Sequence, residues 1–286
     1  MGKNIETFEQ LTIMLKYVAD SSPTYKKIAI YINDNYLQIV FMTTNELAEQ
    51  VGVSQGSISR FFMALGYRGY NDFLQNLQNI VSKELTAPKR LQFSEEHSIK
   101  GKYMHSIFDN ELANMEKLGT IIETPAYQQL VNIIADNKPL ILLSARMSAT
   151  IVPYISYILH KMRNDVSSYT PASPQWDTIE LLNPEKVNII TVMFPRYPRL
   201  LVEKAQRLHK KGFNIYGITD SEFSPLIECS KQAVCVPLTV SSIFDIYSTP
   251  MIFLNILLRD AAQKLPAISE RMEAVERAEL ENNVYY

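Results

Sequence analysis

A chain of 286 residues, 47% hydrophobic and 20% charged, has the composition of an ordinary soluble globular protein with core material for two domains or one large one. Its longest apolar runs, around Leu140–Leu143 and Met251–Leu258, are too short to cross a bilayer, and MGKNIETFEQ has no apolar stretch, so no membrane span or signal peptide is expected and a cytoplasmic location is. A net charge of −2 gives no sign of nucleic-acid binding, and Cys229 and Cys235, without His partners at metal-ligand spacing, read as reduced thiols rather than a metal site; no cofactor is expected.

Residues 5–19 place Ile5, Phe8, Leu11, Leu15 and Val18 at helical spacing. After Ser21-Ser22-Pro23 a second helix is expected from Pro23 to about Asn35, burying Ile28, Ile30, Tyr31 and Ile32. Thr43 and Glu46 have capping-box spacing, so a third helix starts there and carries Leu47 and Ala48. Gly52 suits the left-handed conformation at a helix end, and Ser54 caps a fourth helix with Ile58, Phe61, Phe62 and Leu65 inward. A fifth helix runs from about Tyr70 to Lys83.

The outward positions of the fourth helix are Gln55, Gly56, Ser57, Ser59 and Arg60. Small, hydrogen-bonding side chains around one Arg, at the N-terminal end of the second helix of a helix-turn-helix, suit a major groove. A plain αα-hairpin is the bland alternative, but this face lacks the Glu/Lys ladder of a merely solvated helix. Thr44, Ser54 and Arg68 complete the candidate DNA-contacting set. Residues 1–90 hold nine Lys/Arg against eight Asp/Glu, weak for a DNA binder, so paired modules in a homo-dimer or tetramer are expected to compensate.

The polar stretch 85–104 reads as a linker between a domain at 1–84 and a second at 105–286. Helices over 102–118 (Met104, Ile107, Phe108, Leu112, Met115) and Tyr127–Ala135 lead in. Strands then alternate with helices: strands at Leu140–Leu143, Val166–Tyr169, Val187–Met193, Phe213–Thr219 and Ala233–Pro237, and helices from Ser148 to about Arg163, over Trp176–Leu182, Leu200–Lys211, Phe244–Leu265 and Ser269–Leu280, with a short turn after Ser224-Pro225. Repeated β-α units imply a doubly wound, five-stranded parallel sheet with ligands at the carboxyl ends of the strands. Two such ends carry cations: Ser144-Ala145-Arg146-Met147-Ser148, with Ser148 opening a helix, and Phe194-Pro195-Arg196-Tyr197-Pro198-Arg199. Hydroxyls, helix N–H groups and an Arg fork suit an anion, although either Arg would also serve in a surface ion pair.

The stretch ELAEQVGVSQGSISRFFMALGYRGYNDF resembles the N-terminal helix-turn-helix of the RpiR/MurR family of bacterial transcriptional regulators, through Leu47-Ala48, Val53-Ser54, Ser57-Ile58, Arg60-Phe61, Leu65-Gly66-Tyr67 and Gly69-Tyr70. The second half is similar to the SIS (sugar isomerase) domain of that family, through Ser148, Lys161-Met162, Gly212, Gly217-Ile218-Thr219-Asp220 and Ser224-Pro225. The resemblance implies an all-α DNA-binding domain and a flavodoxin-like effector domain that grips a phosphosugar. The pattern departs where Ser144 and Arg146 stand at the Gly positions of the first loop, and where Met193, Pro195 and Arg196 replace Ser, Ser and Gly in the third-strand loop; the Phe-Pro-Arg-Tyr loop resembles a subgroup. The expectation is a regulator that binds a double-stranded operator and senses a small anionic metabolite through Ser144, Arg146, Ser148, Arg196, Tyr197, Thr219 and Asp220. A sugar-phosphate isomerase or lyase, with a base among His160, His209 and Glu222, and a ligand-free dimerisation module are the alternatives.

Overall fold

The computed structural model describes residues 5, 7–40, 42–84, 102–222, 224–238 and 245–285, so most of the expected 85–104 linker lies outside the described residues. Contacts divide the chain into two units, one formed by the residues up to Leu112 with Asp245 and Ile246, and one formed by Ala113–Leu238 with the residues from Tyr247 onward.

The first unit is all-helical: α1 (Phe8–Ala19), α2 (Pro23–Ile39), α3 (Thr44–Val51), α4 (Gln55–Ala64) and α5 (Tyr70–Glu84). Local chemistry sets the boundaries. Thr7 accepts the Gln10 N–H to cap α1, and Ser22 accepts the Tyr25 N–H at the start of α2. At α3 the capping box is complete, with Thr43 accepting the Glu46 N–H while the Glu46 carboxylate accepts the Thr43 N–H at 2.8 Å. Helix α2 runs past its expected end, to Ile39, across a non-helical Asn35 whose side-chain amide donates to Tyr31 O. Ile30, expected inside, is 52% exposed, while Ile28 and Ile32 are buried. The core is knitted by aromatics, with Phe62 stacked on Phe73 at 4.3 Å and edge-on to Phe61 at 5.4 Å. The Tyr70 hydroxyl donates to Met42 O at 2.8 Å and lies 3.1 Å from Ile39 O, tying α5 to the α2–α3 junction.

Helix α6 (Lys102–Ile121) extends beyond the expected residue 118 and contains the division between the units; its Phe108 and Leu112 are more than half exposed. After α7 (Pro125–Ala135), the strands β1 (Leu140–Ser144), β2 (Val166–Tyr169), β3 (Asn188–Val192), β4 (Ile215–Thr219) and β5 (Gln232–Cys235) form one parallel sheet in the order β2-β1-β3-β4-β5. Alternate side chains face opposite layers. Leu140, Leu142, Ile190, Val192 and Ile218 pack on α7, α8 (Val152–Met162) and α10 (Ser248–Lys264); Ile141, Leu143, Ile189 and Ile215 meet Trp176 and the Leu201, Ala205 and Leu208 of α9 (Arg199–Lys210). Helix α11 (Ile268–Glu281) closes the chain.

Two buried cations brace these layers. Arg163, 7% exposed, donates to Ile134 O and Asp136 O, both at 2.7 Å, and to Lys138 O, satisfying carbonyls at the end of α7. Lys204, 3% exposed, meets Glu180 at 2.8 Å, and Arg207 and Lys211 reach the same carboxylate at 3.0 Å. The expected helix over 176–182 is instead one helical turn, Gln175–Thr178, followed by a 3-10 turn at Ile179–Leu181.

Candidate functional site

In the first unit, Gly52 has φ 70° at the end of α3, so the chain turns within two further residues into Ser54, the N-cap of α4. The Ser54 hydroxyl accepts the Ser57 N–H at 3.2 Å and lies 2.9 Å from the Ser57 hydroxyl, and Arg60 Nη2 reaches that hydroxyl at 3.5 Å. The inner face of α4 is Ile58, Phe61 and Phe62, all fully buried. Its outer face presents exposed Ser54, Gln55, Gly56 and Arg60, with Ser57 and Ser59 partly exposed. Thr44 is the first residue of α3, partly exposed, and Arg68 is exposed with its N–H on Asp72. The predicted set is thereby grouped on α4 and its flanks. An open depression of about 510 Å³ between α3 and α4 adds Asn45 and Glu49 to Gly52, Ser54 and Gln55. These two stand four residues apart on the exposed side of α3.

In the second unit, the chain leaves β1 toward β2 on one side and leaves β3 toward β4 on the other, so the crevice at the carboxyl ends of β1 and β3 is the switch point of the sheet. The last paired residues there are Ser144 and Val192. Beyond them stand Arg146, φ 57°, and Arg196, φ 64°, both exposed. Side chains other than Gly reach this left-handed region at a cost of roughly 1–2 kcal/mol.

The hydroxyls named alongside them sit elsewhere. Ser144, fully buried, donates to Val192 O at 2.8 Å; Thr219, fully buried, donates to Met193 O at 2.7 Å; Ser148, 2% exposed, accepts the Phe194 N–H at 3.0 Å. Together they fasten the tips of β1 and β4, and the 3-10 segment after β1, to the end of β3 and the two residues that follow it. Ser148 does not open a helix: it lies inside the 3-10 segment Arg146–Ile151, and α8 starts at Val152.

The Tyr197 hydroxyl donates to Asp220, with its two oxygens at 2.9 and 3.1 Å. Burial, then the Asp220 carboxylate, pushes this phenol far above its usual range. The nearby Cys235 thiol is pushed up to about 12, by burial first and then Asp220 and Glu222, so it stays protonated at neutral pH. His160 lies at the far end of α8, in an open depression with Ser156, Tyr157, Lys161 and Val275, and His209 is in the last turn of α9. Both helices begin at the strand tips, so both imidazoles lie a helix length away. Among the described residues no group of three or more His, Cys, Asp or Glu side chains is arranged to hold a metal ion, and no helix is long and apolar enough to cross a membrane.

Residues 9–84 match the model of the rpiR-family helix-turn-helix domain and residues 133–259 that of the SIS domain. An uncharacterized HTH-type transcriptional regulator of Providencia stuartii is 42% identical over 50 residues, 18% of either chain. The HTH-type transcriptional regulator HexR of Pseudomonas aeruginosa is 22% identical over 78% of this chain and 76% of its own. Among solved structures, NanR of Vibrio vulnificus, complexed with ManNAc-6P, superposes over 95% of this chain and 98% of its own, with a TM-score of 0.55 and 14% identity. The sugar isomerase domain of an RpiR transcription factor from Sphaerobacter thermophilus covers 60% of this chain and 96% of its own, with a TM-score of 0.52 and 19% identity. At these identities the two superpositions establish the fold.

Proposed function

Since the chain belongs to the RpiR/MurR family of transcriptional regulators, we propose that α4 reads an operator in the major groove and that the switch point of the sheet senses a small anion that tunes this binding. The observation that carries the sensing reading is the pair of arginines held in left-handed backbone at the tips of β1 and β3. Gly would occupy either position without the Cβ clash. Arg is kept there against the local preference of the backbone, and what Arg adds is a bidentate fork for carboxylate or phosphate. Tyr197, held by Asp220, fixes the loop that carries Arg196.

The buried hydroxyls set the shape of this loop rather than touching the ligand first. This sensing is non-enzymatic: the Asp220 carboxylate already accepts the Tyr197 hydroxyl, Glu222 is exposed in the segment after β4, and both imidazoles lie toward the far ends of α8 and α9. The effector class is a sugar phosphate or a small carboxylate. Operator binding uses paired modules in a homo-oligomer, and the effector biases the half-site spacing they reach.

A thermal-shift screen of phosphosugars, ManNAc-6P among them, sialic-acid-type sugars and small carboxylates tests the reading. A ligand at about 100 times its Kd stabilises the native state by about 2.7 kcal/mol. In Arg146→Gly and Arg196→Gly the shift disappears, while ligand-free stability stays within about 1 kcal/mol of wild type, because relief of left-handed strain offsets the added flexibility of Gly. A full ligand shift in both variants rules the site out. A screen in which no anion acts points instead to a SIS domain used for assembly alone.

A further inference from the structure

The seven described glycines sort by what the fold requires of them. Gly52, Gly66, Gly69 and Gly212 have positive φ. At Gly217 a Cβ would stand 2.8 Å from the Ala233 side chain and 2.9 Å from the Ser230 hydroxyl, so β4 and its neighbours admit nothing larger. Two remain without an internal reason. Gly119 lies in the last turn of α6 with nothing near its Cβ position. Gly56 lies in the first turn of α4, in ordinary helical backbone, and a Cβ there would meet only the Ser54 hydroxyl, at 3.9 Å.

Nothing inside the protein therefore asks for glycine at 56, and the helix would be better without it, since Gly is among the poorest helix formers and Ala the best. The residue is exposed and stands between Gln55 and Ser57, on the side that presents Ser54 and Arg60. In a helix-turn-helix the N-terminal residues of the second helix approach the base edges most closely.

We infer that Gly56 is kept by the duplex: the missing Cβ lets the first turn of α4 seat against a base edge on the major-groove floor, so that residue 56 sets docking depth and, with it, sequence preference. This rests on the reading of α4 as the DNA-facing helix. Gly119, equally free of internal constraint and remote from that helix in sequence, supplies the control.

The experiment compares Gly56→Ala, Gly119→Ala and Arg60→Ala in the full chain, using a duplex selected by the wild-type protein from a random-sequence pool. Gly56→Ala and Gly119→Ala both keep or raise the melting temperature. Gly56→Ala weakens the selected duplex about tenfold or more and shifts the sequences recovered on reselection, as the loss of one good base contact would; Gly119→Ala changes neither. Unchanged affinity in Gly56→Ala alongside a weakened Arg60→Ala overturns the role of Gly56 and leaves the DNA-facing reading standing. Unchanged affinity in both removes the reading of α4 itself, and the inference with it. A Gly56→Ala protein that melts lower than wild type shows that the fold does need this glycine, and overturns the inference.

Discussion

Arg146, Arg196 and Gly56 share one property: each is the wrong residue for its own backbone. The two arginines hold φ values that suit glycine, and the glycine sits in helical backbone that suits alanine. Local preference and native structure agree almost everywhere in a well-specified fold, so such disagreements gather at functional or strained sites; Ala267 and Asn283, also left-handed, lie at the two ends of α11. Arg60 is the complementary case, an exposed cation in a regular helix, resting on Ser57. Arg60→Ala is expected to weaken operator binding by about 1–3 kcal/mol and relax base preference at one position if it reads a base, whereas a phosphate contact would weaken all sequences alike. Selection from a random pool separates the two. Tyr197→Phe removes a hydroxyl donated to a carboxylate, and is expected to cost about 1–3 kcal/mol in urea denaturation.

At the scale of elements, the helix-turn-helix was legible because its punctuation is local. The Thr43–Glu46 box, the Gly52 turn and the Ser54 cap each need only four or five residues to be recognised, and all three form as the spacing implies. Gly52→Ala, at φ 70°, is accordingly expected to destabilise the first unit by roughly 1–2 kcal/mol, measured by urea unfolding. The strand tips were legible only in outline. The sequence shows a Ser at 144, 148 and a Thr at 219, but not which carbonyl or N–H lies across from each, because that partner belongs to the end of β3 or the residues just after it, far away in the chain. Periodicity likewise supplied a helix where Gln175–Leu181 makes two short turns, whose role is to bring Glu180 to the basic side of α9.

That carboxylate is testable by pH. Its hydrogen bond to Lys204, with further ones to Lys211 and Arg207, holds Glu180 near 2, below its ordinary value of 4.5. A carboxyl group depressed in the folded state binds fewer protons there than when unfolded, so its stabilisation is present above pH 4.5 and is lost as pH falls from there toward 2. Glu180→Gln is expected to cost roughly 2 kcal/mol at neutral pH and to flatten the acid limb of the stability profile in that window.

For the whole molecule, near-neutral charge decides how it must bind. A net charge of −2 supplies little long-range attraction to a polyanion, so the proposed operator binding rests on a few well-placed contacts, which paired modules would make twice. The full chain is expected to bind a duplex with two half-sites about 10 base pairs apart far more tightly than one with a single half-site. Its log affinity should fall linearly with log salt, with a slope that counts the phosphates neutralised. Equal affinity for one and two half-sites would mean that the modules act singly.

The buried hydroxyl ties among the strand tips bear on how such a sensor changes its chemistry over evolutionary time. Ser144, Ser148 and Thr219 hold the framework of β1, β3 and β4 through backbone partners, Thr219 with a further contact to Asp220, and none of these ties uses the side chain at 146 or 196. Under the proposed sensing role, specificity is interchangeable hardware on a fixed chassis. Two positions can be exchanged to admit a different metabolite while the hydroxyls that shape the crevice stay untouched, which also makes those two positions the natural starting library for redirecting the protein to a new signal.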